Sequence, residues 1–206
     1  MKKNLAIAFR SSSLKETFVE RLFSSYNYWL SGFRTFEERA AGSRLGFILE
    51  TARGARFELA SKNLSGPARI NKYGVNLSGL EAAFKEAFDE AVREKKILLL
   101  DELGPMALLS PSVRSLAARA LVSAVPCLVF FRRGAKSFEG TLAGLDNTVV
   151  AELDPSRPFG PGTEDLEAGH KAKTRVGEPK EREPYGLRQK VENWIEEHIR
   201  VLKERE

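Results

Sequence analysis

Residues 97–106, Ile97-Leu98-Leu99-Leu100-Asp101-Glu102-Leu103-Gly104-Pro105-Met106, constrain the fold more than any other stretch. Four successive apolar residues run into two adjacent carboxylates, and a Gly-Pro then breaks the chain. A short apolar run closed by a breaker predicts a strand buried on both faces, as in a parallel sheet covered by helices. Carboxylates at the C-terminal end of such a strand lie at the edge where open α/β sheets bind ligands. The same pair also fits a plain solvated strand end, and this stretch alone does not choose.

The flanking sequence repeats the alternation of strand and helix. Residues 5–9 read as a first buried strand, and residues 14–30 carry Leu14, Phe18, Leu22, Tyr26 and Leu30 at helical spacing. Residues 32–36, 45–50 and 55–60 read as strands. The last two are joined through Ala52-Arg53-Gly54, so this part is a β-hairpin insertion rather than a βαβ unit. Residues 61–71 read as a polar loop. A helix is expected over 78–94, with Leu80, Ala83, Phe84, Ala87, Phe88, Ala91 and Val92 on one stripe. Ser110-Pro111 predicts a capped helix start, and residues 127–131 and 148–153 predict two further strands. The expected fold class is therefore α/β, a mainly parallel sheet with helices on both faces.

Between residues 155 and 186 fall five prolines and five glycines with few large apolar residues, so a linker is expected there. The predicted organisation is a domain over 1–153, a Pro/Gly-rich linker over 154–186 and an amphipathic helix over 187–206. That helix carries Leu187, Val191, Trp194, Ile195, His198, Ile199 and Leu202 on one face. The stripe must be buried, on its own domain or on a protein partner.

Charge and cysteine content narrow the function classes. The net charge of +5 is small against 33 basic and 28 acidic residues, so nucleic acid is not implied as a partner. Cys127 is the only cysteine, which excludes an internal disulfide and fits a reducing cytoplasm. The first apolar stretch ends at Arg10, too short for a secretory core, and nothing approaches the ~20 apolar residues of a membrane span. His170 and His198 have no second His or Cys at ligand spacing.

The junction after the first strand invites comparison with the phosphate-binding pattern G-x-x-x-x-G-K-[ST]. Laid on residues 9–16, the pattern keeps only Lys15. Phe9 and Leu14 replace the glycines that let backbone N–H groups approach phosphates, and Glu16 replaces the hydroxyl that would ligand Mg²⁺. Thr17 carries a hydroxyl one residue late, about 100° around the helix. Ser13-x-x-Glu16 also reads as a capping box, which would satisfy the donors a phosphate needs. Against that, Lys15 in a first helical turn is unfavourable to the helix dipole by ~0.3–1 kcal/mol unless an anion lies nearby.

Several motifs in order carry a resemblance: Gly32-Phe33-Arg34-Thr35 with Glu37, Glu38 and Arg39; Arg44-Leu45-Gly46-Phe47; Lys72-Tyr73-Gly74-Val75; and Leu100-Asp101-Glu102-Leu103-Gly104 continuing to Met106 and Leu108-Leu109-Ser110-Pro111. Over residues 5–133 the chain resembles the P-loop nucleoside-triphosphatases of the cancer-related and thermophilic archaeal type. The resemblance implies a RecA-like fold and Mg²⁺-dependent hydrolysis of a nucleoside triphosphate to the diphosphate and phosphate. It implies Lys15 for phosphate, Asp101 for Mg²⁺ and Glu102 for the attacking water. Arg39, Lys72 and Arg132 are the basic candidates near the phosphates, with Ser12, Ser13 and Thr17 as hydroxyls around Lys15. The chain departs from that family at Phe9, Leu14 and Glu16, and at Pro105-Met106-Ala107, where Lys and Met-Glu are usual. Each lost charge-stabilising group costs ~10²–10³ in rate, so weak or lost hydrolysis is expected. The alternative is a non-catalytic nucleotide-binding or scaffold module acting through protein contacts.

Overall fold

The expected strand at residues 97–101 is β7, Ile97–Asp101, with every side chain buried. The computed structural model describes residues 2–153 and 185–204. The other strands are β1 (Asn4–Phe9), β2 (Leu30–Ala40), β3 (Ser43–Thr51), β4 (Arg56–Ser61), β5 (Arg69–Ile70), β6 (Tyr73–Val75), β8 (Cys127–Arg132) and β9 (Thr148–Leu153). The helices are α1 (Ser12–Tyr26), α2 (Leu77–Arg93), α3 (Pro111–Val122), α4 (Lys136–Ala143) and α5 (Tyr185–Lys203).

The strands form a nine-stranded sheet in the order β5-β6-β4-β3-β2-β7-β8-β1-β9. From β2 to β9 the neighbours run parallel, whereas β3, β4, β5 and β6 add antiparallel pairs beyond β2. β8 lies between β1 and β7. This order brings the ends of the first strand and of the Asp101 strand to one edge with a single strand between them.

Period-2 alternation divides the core into two layers. Leu5, Ile7, Phe9, Ile97, Leu99, Leu128 and Phe130 face α1 and α5. Ala6, Ala8, Leu98, Leu100, Cys127, Val129 and Phe131 face α2, α3 and α4. Continuous apolar runs in β1, β7 and β8 are thus explained by helices on both faces.

Local chemistry sets the helix ends. Ser110 Oγ accepts the N–H of Val113 at 3.0 Å with Pro111 in the first turn of α3. At the other end of α3, the Lys3 ammonium donates to the carbonyls of Leu121 at 2.9 Å and Ser123 at 2.6 Å, a cation at the negative end of a helix. α5 begins at Tyr185, ahead of the expected Leu187. Leu187, Val191, Trp194, Ile195 and Leu202 pack into the layer formed by β1 and α1. Trp194 Nε1 donates to the Lys2 carbonyl at 3.0 Å. The stripe is therefore part of this chain's own core.

Other elements also differ from expectation. α1 stops at Tyr26 because Leu30, which continued its spacing, is already paired with Ile97 in the sheet. The polar stretch 61–71 contains the short strand β5, and α4 follows β8 without an apolar signal strong enough to predict it. Of the linker expected over 154–186, residues 185 and 186 belong to α5, and the rest, with His170, lies outside the described residues. Among the described residues no helix is long and apolar enough to cross a membrane.

Candidate functional site

The site lies where β1, β7 and β8 end. Arg10 and Ser11 alone separate β1 from α1. In the phosphate-binding pattern the helix opens at the lysine; here it opens at Ser12. Ser11 has extended backbone angles and its Oγ accepts the Leu14 N–H at 3.3 Å, so Ser11 is the N-cap. The Lys15 N–H donates to the Ser11 carbonyl at 3.2 Å. This corrects the capping box read from Ser13 and Glu16. The helix starts earlier than that box requires, and the Glu16 carboxylate instead accepts the Glu37 N–H of β2 at 3.1 Å.

The side chains that replace the glycines point inward. Phe9 is 0% exposed and Leu14 3%, and both belong to the layer beneath α1. Two cations stand over the Phe9 ring, Lys15 Nζ 5.6 Å and the Arg132 guanidinium carbon 5.0 Å from its centroid. An aromatic ring is therefore buried directly beneath the β1–α1 junction.

Lys15 is 2% exposed and Asp101 0%. Lys15 Nζ donates to Asp101 Oδ2 at 2.9 Å and to the Thr35 carbonyl at 2.7 Å, and lies 2.8 Å from Asp101 Oδ1. The Thr35 N–H also donates to Oδ2, at 3.1 Å. Only the Oδ2 approach has hydrogen-bond geometry, so Oδ1 is buried with a charge beside it and no directed donor. Burial pushes the Asp101 carboxyl up, and the Lys15 ammonium and the Thr35 N–H oppose that. The Lys15 ammonium and the Asp101 carboxylate together are neutral overall. Breaking such a pair is strongly destabilising, because one charge is left buried and alone.

Glu102 lies on the far side of the strand end. It lines a cavity of about 10 Å³ with Thr35, Leu59, Leu80, Gly104, Met106 and Ala107. That volume is at the lower limit for one water molecule. Burial pushes the Glu102 carboxyl up, Lys15 and Arg132 pull it down, and Asp101 and Glu16 add to the rise. Arg132 Nη2 stands 3.9 Å from Glu102 Oε2. Arg132 also donates to Ser12 Oγ at 3.0 Å.

The structure thus gathers Ser12, Lys15, Asp101, Glu102 and Arg132 at one edge. The other expected site residues lie elsewhere. Ser13 and Thr17 are exposed on α1, and Thr17 Oγ1 donates to the Ser13 carbonyl at 3.1 Å. Arg39 lies four residues beyond Thr35 along β2, roughly 13 Å at strand rise, and donates to Glu37 at 2.9 Å. Lys72 precedes β6, four sheet positions from β7 or roughly 19 Å, and its ammonium stands over the Tyr73 ring. The backbone of Thr35 was the partner that sequence reasoning missed. A main-chain donor and acceptor leave no side-chain signature, and only the β2–β7 pairing places them.

Mg²⁺ does not fit the residues as they stand. Asp101 is the carboxylate the resemblance assigns to it, but the Lys15 ammonium is already against both oxygens. At the position of the expected hydroxyl ligand, the Glu16 carboxylate is occupied by a backbone N–H. Among the described residues no group of three or more His, Cys, Asp and Glu side chains is placed to hold a metal.

The family model described as NTPase matches residues 4–156. The chain belongs to this NTPase family. Among its relatives, a protein named Nucleoside-triphosphatase THEP1 from Thermotoga petrophila is 34% identical over 123 residues, covering 60% of this chain and 69% of that protein. A protein of the same name from Thermofilum pendens is 33% identical over 147 residues, covering 69% and 80%. The crystal structure of THEP1 from Aquifex aeolicus superposes with a TM-score of 0.66 at 25% identity, over 74% of this chain and 90% of that one. The solution structure of a human cancer-related nucleoside triphosphatase gives a TM-score of 0.53 at 20% identity, over 76% and 90%, a likeness of fold. The α/β architecture of this NTPase-family chain, a largely parallel sheet flanked by helices, is that of these structures.

Proposed function

We propose that this chain is a nucleoside-triphosphatase-family domain whose hydrolysis of nucleoside triphosphates is residual or lost. The reaction of the relatives, by their name, is cleavage of a nucleoside triphosphate. Phosphoryl transfer depends on positioning and on charge stabilisation of the transferring group. The observation that carries the reading is the β1–α1 junction, where the helix opens at Ser12 and Phe9 fills the space below it. The chain retains Lys15, Asp101, Glu102 and Arg132, but Lys15 and Asp101 neutralise each other instead of facing phosphate and Mg²⁺. The retained carboxylate pair is consistent with family ancestry and does not by itself restore catalysis.

Under this reading the degraded phosphate loop leaves a domain with little or no turnover. A scaffold role through the apolar stripe of α5 has no support, because that stripe is buried against β1 and α1. The test is phosphate release from Mg²⁺–nucleoside triphosphates by the wild type and by Glu102→Gln. Equal release at background level is expected from both. Release by the wild type that falls by ~10² or more in Glu102→Gln would give Glu102 its catalytic role and overturn the reading.

A further inference from the structure

The three oxygens around Lys15 Nζ form a cation cage. Asp101 Oδ1, Asp101 Oδ2 and the Thr35 carbonyl stand 2.8, 2.9 and 2.7 Å from it. Hard divalent cations take oxygen ligands of these types, carboxylate and backbone carbonyl, at shorter distances of about 2.0–2.6 Å. The cage is closed to solvent, since Asp101 is 0% and Lys15 2% exposed. Oδ1 has no directed donor, so the cage holds one acceptor that the ammonium serves by charge alone. The Glu16 and Glu102 carboxylates lie close enough to act electrostatically on Asp101, while the Arg34 and Arg132 guanidiniums act on Asp101 and Glu102, respectively, from outside the cage.

We infer that Lys15 is the resident counter-ion of this cage and keeps divalent cations off Asp101. The inference rests on and deepens the functional reading by naming what controls the Asp101 position, and it is tested without nucleotide or turnover. A second cation cannot enter while Nζ stays, because the two charges would share the same oxygens in a buried region of low dielectric. The replacement of the expected hydroxyl by Glu16 fits the same logic. Glu16 is tied to the Glu37 N–H and offers no neutral oxygen beside the cage. The ammonium also links α1 to β2 and β7, so the fold has its cation built in.

The prediction is that removing the ammonium converts the cage into a divalent-cation site. The probe is Mn²⁺ alone, followed by the loss of the free aqua-ion signal in electron paramagnetic resonance, on the full chain without nucleotide. The wild type is expected to leave millimolar Mn²⁺ free, and its melting temperature is expected not to move with the metal. Lys15→Met is expected to bind one Mn²⁺ per chain and to melt higher in its presence. The double variant Lys15→Met/Asp101→Asn is expected to lose that binding. If Lys15→Met fails to fold in metal-free buffer, Mn²⁺ is expected to recover its far-ultraviolet circular dichroism. Mn²⁺ binding by the wild type would overturn the inference, as would a folded Lys15→Met that leaves Mn²⁺ free or an unfolded one that Mn²⁺ does not recover. A hydrolytically active wild type that still excludes Mn²⁺ in the absence of nucleotide would overturn only the functional reading.

Discussion

Lys15→Met is expected to lower the unfolding free energy by about 3–5 kcal/mol, the cost of leaving a buried carboxylate without its partner. Asp101 is fully buried, and the Thr35 N–H alone cannot replace an ammonium in contact with both of its oxygens. The double variant Lys15→Met/Asp101→Leu is expected to recover most of that loss, because a buried ion pair exchanged for packed apolar residues is often neutral or stabilising. Urea denaturation of the wild type, both single variants and the double variant gives the coupling energy directly. Strong non-additivity supports a mutually neutralising pair. Additive losses would mean that Lys15 and Asp101 have separate partners and that the contact carries no energy.

Gly32→Ala is expected to be more damaging than any substitution at a turn glycine. Gly32 lies in β2 opposite Leu99 of β7, with φ +129°, where L side chains are rare. A Cβ there would stand 1.9 Å from the Leu99 carbonyl oxygen, which is backbone in a fully buried strand and cannot swing aside. Strain and overpacking together are expected to cost about 2–6 kcal/mol, a large share of the roughly 5–15 kcal/mol of a typical domain. Gly54 has φ +85° but nothing within 4 Å of where a methyl group would stand, so Gly54→Ala carries backbone strain without the clash. Soluble yield and denaturation midpoints of the two variants separate these contributions. Equal behaviour would show that the β2–β7 approach is looser than its geometry.

The fold was legible where burial is total or where a cap is spelled out in side chains. β1, β7 and β8 announced themselves as continuous apolar runs because helices cover both of their faces. Ser110-Pro111 announced α3 because both residues act locally. Misreadings came where a local pattern was overridden by tertiary contact. Leu30 continued the spacing of α1 yet belongs to β2, since pairing with Ile97 outweighs one more helical turn. Ser13 and Glu16 had the spacing of a capping box, but Ser11 caps the helix and the nearby strand claims Glu16.

The candidate site was legible in its residue types and not in its wiring. Lys15, Asp101, Glu102 and Arg132 could be picked from motif spacing, and the fold brings them to one edge. That Lys15 reaches Asp101 across 86 positions in sequence depends on the strand order, which no local pattern encodes. Arg39 and Lys72 matched by motif, but the antiparallel extension of the sheet carries them away from that edge.

Whether the β1–α1 junction can still cradle a phosphate chain is read out by ligand-induced stabilisation. Thermal melts of the full chain with millimolar Mg²⁺–nucleoside triphosphate, against Mg²⁺ alone, are expected to superimpose. A shift that grows with nucleotide concentration, towards the ~2.7 kcal/mol expected at about 100 times the dissociation constant, would show that the junction holds phosphate after all.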